Sequence, residues 1–175
     1  VFGDARQKIT SKYGEKNGYA MFHQHIVDAA ADFDAVSIHA DTWQSCRPRS
    51  SLQAHLVLKA VDLVGNEPQL ETLALAIRRA FFEHGQDISD IDRLLALARD
   101  NGLDEAALRR SLGDGSAMAA LSGDQRMANN LGVKGSPTWV LNEGRQMLYG
   151  NVGYRILSAN IEELLSRGGG ESSWC

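Results

Sequence analysis

The chain has 175 residues, 43% hydrophobic and 23% charged, with a formal net charge of −4. Its Lys and Arg residues are scattered, which excludes a basic nucleic-acid groove, and no apolar run nears the ~20 residues that span a membrane. Two cysteines, Cys46 and Cys175, are too few for a disulfide framework, and no CxxC is present. No basic stretch followed by an apolar one opens the chain, which points to the cytoplasm.

Val1 to Gly3 read as the end of a strand. Asp4 is an N-cap for "ARQKITSKY", stopped by Gly14 and Gly18. "YAMFHQHIVDAAADF" sets Met21, Phe22, His25, Ile26, Ala29 and Phe33 near one helical face. His25 then faces the core and His23 the surface. "AVSIH" reads as a short strand, and "ADTWQSCRPRSS" as a loop in which Pro48 holds Arg47 extended.

From Ser50 the pattern turns helical. "SLQAHLVLKAVDLVG" has a Ser cap, an apolar stripe and a Gly stop. "EPQLETLALAIRRAFFEHG" carries Pro68 near its first turn, where the missing N–H costs little. "DISDIDRLLALARDNG", "LDEAALRRSLGDG" (capped by Asp104) and "SAMAALSGDQRMANNLG" (weakened at Gly123) complete five successive helices, a block from about Ser50 to Leu131. After Gly132, "PTWVL" and "RQMLYG" flank the turn "NEG" as a β-hairpin. "YRILSANIEELLSR" is a closing amphipathic helix with Ile156, Leu157, Ile161, Leu164 and Leu165 inside, and "GGGESSWC" is a flexible tail bearing Cys175.

Few residues are reactive. Cys46 lies near Arg47, Arg49 and the start of a helix, all of which lower a thiol pKa. It is either a lone reactive thiol or a partly buried structural one. His23 and His25 stand i, i+2 on a helix, a poor metal pair, so no metal site is expected. His39 and Asp41 could form an acid–base pair but have no nucleophile tied to them. His55 is either a substrate-facing group or an ordinary helix residue. Phe22, Trp43, Phe81 and Phe82 read as core, and Trp139 as core or the floor of a site. Pro137 begins a strand, where it removes no ladder bond. It is either a trans residue opening an edge strand or a cis residue that turns the Ser136 backbone outward toward an extended partner.

"GVKGSPTWVLNEGRQMLYGNVGYRILSANIEELL" resembles the corresponding segment of the DsbA-like thioredoxin family, which includes thiol–disulfide oxidoreductases, 2-hydroxychromene-2-carboxylate isomerases and kappa-class glutathione transferases. "RPRSSLQAHLVLKA" resembles the entry to that family's all-helical insertion. The resemblance implies an α/β, thioredoxin-like fold of DsbA type. Residues 1–49 would be a residual N-terminal part, 50–132 the helical insertion, 133–167 the C-terminal ββα and 168–175 the tail. Redox-active members open with a strand and a CxxC, or a Cys or Ser equivalent, a segment that would lie upstream of "VFGD". The expectation is therefore a chain without the N-terminal β–α unit, redox-inactive as it stands. By the same resemblance Ser136, Pro137 and Thr138 line the substrate side, for a thiol-containing peptide or glutathione. Asn151, Tyr154 and Arg155 in "GNVGYR" would hold glutathione, unless Asn151 merely caps a turn and Arg155 is solvated. A hairpin alone is marginal. Val36 to Ile38, Val1 and Phe2, or a second copy in a homo-oligomer would complete its sheet. A non-enzymatic peptide- or partner-binding module is the third reading.

Overall fold

The computed structural model describes residues 3–166. The expected strand at Val1 and Phe2, the tail and Cys175 lie outside the described residues. By density of contacts the chain divides into two units, Val1–Ser122 and Gly123–Cys175.

The first unit is helical. Asp4 Oδ1 accepts from the Gln7 N–H at 2.8 Å and starts α1 (Ala5–Tyr13), which pairs with α2 (Gly18–Ala30). Then come α3 (Leu52–Val64), α4 (Glu67–Phe82), α5 (Ile91–Asp100) and α6 (Glu105–Gly113). Their starts are capped as short polar side chains predict. Ser50 Oγ accepts from the Leu52 N–H, Asn66 from Gln69, Asp90 from Asp92 and Arg93, and Asp104 from Ala106 and Ala107. α3 is the central helix and packs on α4, α5 and α6. Three partners explain why its apolar face is broad, with Ala54, Leu56, Val57, Ala60 and Val61 all buried. Leu73, Leu94, Leu95 and Leu108 fill the same core, each stabilising by about 1.5–3 kcal/mol.

A second, aromatic core joins α1, α2 and the end of α4 to the loop after α2. Trp43 lies 5.2 Å from the Phe22 ring and 5.0 Å from Phe81, the latter nearly perpendicular. The loop is stitched to α4: the His39 N–H donates to the Phe82 carbonyl at 2.7 Å and Thr42 Oγ1 to the Phe81 carbonyl at 3.0 Å. Gly85, at φ +59°, ends α4 so close to His39 that a β-carbon there would stand 2.8 Å from the imidazole Nδ1.

Three expectations fail in this unit. "AVSIH" joins no ladder among the described residues; it is irregular, and Val36 to Ile38 form no strand. Strand propensity supplies no pairing partner. The two histidines are exchanged: His23 is 7% exposed and His25 is exposed. His23 Nδ1 lies 2.5 Å from the Thr42 carbonyl, which can only accept, so the ring carries its proton there. On the helical face expected to be buried, only Phe22 and Ile26 are sheltered, while Met21, Ala29 and Phe33 are exposed.

α7 (Ser116–Asn130) runs from the first unit into the second, passing Gly123 without a break. The second unit continues with β1 (Thr138–Leu141), a turn at Asn142–Gly144, β2 (Gln146–Tyr149) and α8 (Tyr154–Ser166). Asn142, Glu143 and Gly144 all have positive φ (50°, 57° and 93°), which folds the chain back for the antiparallel pairing of Thr138 with Tyr149 and Leu141 with Gln146. Gln146 on β2 hydrogen-bonds Asn160 on α8. Of the five residues expected on the inner side of α8, Leu157 and Leu164 are half-buried while Ile156, Ile161 and Leu165 are exposed. Within this unit a two-stranded sheet is too narrow to cover a thirteen-residue helix.

Candidate functional site

The candidate site is built on the loop from α7 into β1. The Val133 N–H closes the end of α7 on the Ala128 carbonyl at 2.9 Å. Within the next five residues the chain is pinned again, because Thr138 Oγ1 donates to the Gly135 carbonyl. The Gly150 N–H donates to the Pro137 carbonyl at 3.0 Å, tying the end of β2 to the loop. The Ser136–Pro137 peptide bond is cis. Between these ties Ser136 and Pro137 are exposed. Among the described residues, neither the N–H nor the C=O of Ser136 takes a hydrogen-bond partner.

Gly135 is needed for close approach. A β-carbon on it would lie 2.9 Å from the Tyr149 hydroxyl and 3.0 Å from the ring edge. Tyr149 is thus an aromatic cover over the loop, a residue that sequence reading passed over. The sequence alone does not give this contact: the turn includes Arg145, so counting outward from "NEG" would set Leu148 opposite Thr138, whereas the register observed sets Tyr149 there. Trp139, which pairs with Leu148 on the opposite face of the hairpin, is 43% exposed, a surface wall rather than core. β1 pairs only with β2 among the described residues, so its other edge presents free backbone groups.

The residues expected to hold glutathione gather at the next junction. Asn151, Tyr154 and Arg155 are exposed at the N-terminal end of α8, with Tyr154 82% exposed. The Gly150–Pro137 hydrogen bond makes this junction continuous with the Ser136–Pro137 loop.

Cys46 belongs to the first unit, half-buried against the aromatic core. The expected lowering of its pKa is reversed. Burial raises it first, Asp87 and Asp41 raise it further, and only Arg93 opposes them. The Arg47 guanidinium is turned to other partners. Its Nε donates to the Gln44 carbonyl at 2.7 Å, and the group lies 4.4 Å from the Tyr19 ring centre. Cys46 is therefore a weakly nucleophilic thiol at neutral pH.

The remaining candidates resolve into local structure. His39 Nδ1 accepts from the Asp41 N–H at 3.1 Å, so this pair shapes a turn. His55 sits on the outer face of α3. The protein around it lowers its pKa, and the positive charge of Arg78 lowers it further. No group of three metal-ligating side chains occurs among the described residues. No described helix is long and apolar enough to cross a membrane.

The family model of the DSBA-like thioredoxin domain matches residues 6–162. The chain is 33% identical to the ClpXP adapter protein SpxH of Bacillus licheniformis over 84% of its own length. It spans 58% of that relative's length.

Proposed function

The chain belongs to the DSBA-like thioredoxin family, and from that premise we propose that it is a partner-holding module. It binds an extended protein segment at the Ser136–Pro137 loop and the adjoining edge of β1, and does not exchange disulfides through its own cysteines. The observation that carries this reading is the exposed Ser136 backbone, with both polar groups open at the head of an unpaired strand edge. An extended peptide satisfies such groups as an added strand does, and Tyr149 and Trp139 give its side chains apolar surface. The chemistry of Cys46 supports the second half, since its raised pKa suits a structural thiol and no CxxC occurs in the sequence. The relative's name, an adapter protein, describes a protein that holds others.

The test is a peptide array followed by amide chemical-shift mapping with the best binder. Shifts are expected at Ser136, Thr138 and Trp139. Ser136→Pro removes one donor and weakens binding about fivefold, whereas Ser136→Ala leaves it unchanged. Shifts confined to other segments would refute the assignment. Pairing of the same edge between two copies is the competing use, and light scattering separates it from peptide binding.

A second reading rests on the Gly150–Pro137 hydrogen bond, which joins the loop to the N-terminus of α8. That arrangement offers glutathione a backbone strand on one side and Asn151, Tyr154 and Arg155 on the other. Calorimetry at millimolar glutathione tests it; no heat of binding would leave only the peptide reading.

A further inference from the structure

A groove of about 440 Å³ lies wholly in the first unit, between the end of α2, the irregular segment that follows it and the outer face of α4. Its walls are apolar: Ile26 and Ala29 from α2, Phe33 and Val36 from the segment, Leu75 and Phe82 from α4. Phe33, Val36 and Leu75 are each about half exposed there. The volume is that of a small-molecule site, not of a flat protein contact.

The charge along the groove is unbalanced. Arg78, Arg79 and Glu83 all line it. Glu83 is engaged by Arg79 at 3.6 Å, while Arg78 forms no ion pair among the described residues. One guanidinium is therefore left against an apolar trough. A cation or a polar sugar fits neither wall nor charge. A neutral hydrocarbon leaves Arg78 without a partner. A molecule with one negative end and an aliphatic body satisfies both, because a guanidinium pairs a carboxylate through two parallel hydrogen bonds.

We propose that this groove binds a free aliphatic monocarboxylate of medium chain length, its chain between α2 and α4 and its carboxylate on Arg78. Dodecanoate and dodecanol share a chain and differ in charge, and calorimetry below the micelle-forming concentration compares them. One dodecanoate per chain is expected, with dodecanol about tenfold weaker. Arg78→Gln abolishes that preference. Ala29→Trp, at an exposed position of the groove, abolishes binding of both ligands. Unchanged far-UV circular dichroism shows that each variant is folded. Equal affinity for the two ligands, or dodecanoate binding that survives Ala29→Trp, would overturn the proposal. So would a dimer of the native chain that Ala29→Trp dissociates, which would give the groove to a second copy.

Discussion

Trp43 offers the sharpest test of the packing that fixes the loop around Cys46. It is 6% exposed, ringed by Tyr19, Phe22 and Phe81, and it holds a φ of 63° that a bulky residue rarely adopts. Trp43→Ala removes the ring but keeps the left-handed backbone, so the loss is that of a truncated core aromatic, about 3–5 kcal/mol. Trp43→Gly makes the same cavity. It also relieves the left-handed strain, about 1–2 kcal/mol, against an added chain-entropy cost of about 0.5–1 kcal/mol. Glycine is therefore expected to be the more stable of the two variants by about 0.5–1 kcal/mol, the reverse of the ordinary order. Urea titration followed by far-UV circular dichroism measures both. A glycine variant less stable than the alanine variant would refute the backbone reading. A loss below about 1 kcal/mol for Trp43→Ala would refute the packing.

Two further outcomes follow from the titrating groups. With Cys175→Ser in place, Cys46 should alkylate more slowly at neutral pH than a free thiol, with a half-point above the ordinary thiol range, since burial and Asp87 both favour the protonated form. Rates with iodoacetamide across pH check this, and Trp43→Ala should speed the reaction by opening the loop. His55 has a folded pKa below its unfolded value, so the unfolded chain binds the extra proton and stability falls as pH drops through about 6.5. The gap between urea midpoints at pH 7.5 and 5.5 should narrow in His55→Gln; an unchanged gap would contradict it.

Much of the helical architecture was legible because several helices announce their own ends. Asp4 and Asp104 cap where their side chains can reach the next turn, and that reach is a matter of three residues. The hairpin was legible for the same reason, since "NEG" concentrates the positive-φ turn between two strand-forming runs. What failed were properties set by residues distant in sequence. His23 is buried because the Thr42 carbonyl waits for its proton nineteen positions away. The pKa of Cys46 is not set by its neighbours in sequence, because burial, Asp87 and Asp41 outweigh them in space. "AVSIH" has the composition of a strand, but a strand exists only with a partner to pair with. In the candidate site, Pro137 was visible as a strand opener. The approach of Tyr149 to Gly135 depends on hairpin register and needed the structure.

The claim that this chain holds a partner through backbone and not through thiols is tested most directly by peptide affinity in a cysteine-free variant. Cys46→Ser/Cys175→Ser should bind the array-selected peptide within twofold of the native chain, with the amide shifts still centred on Ser136 and Thr138. Binding that disappears with the cysteines, or that leaves a mixed disulfide on Cys46, would contradict it.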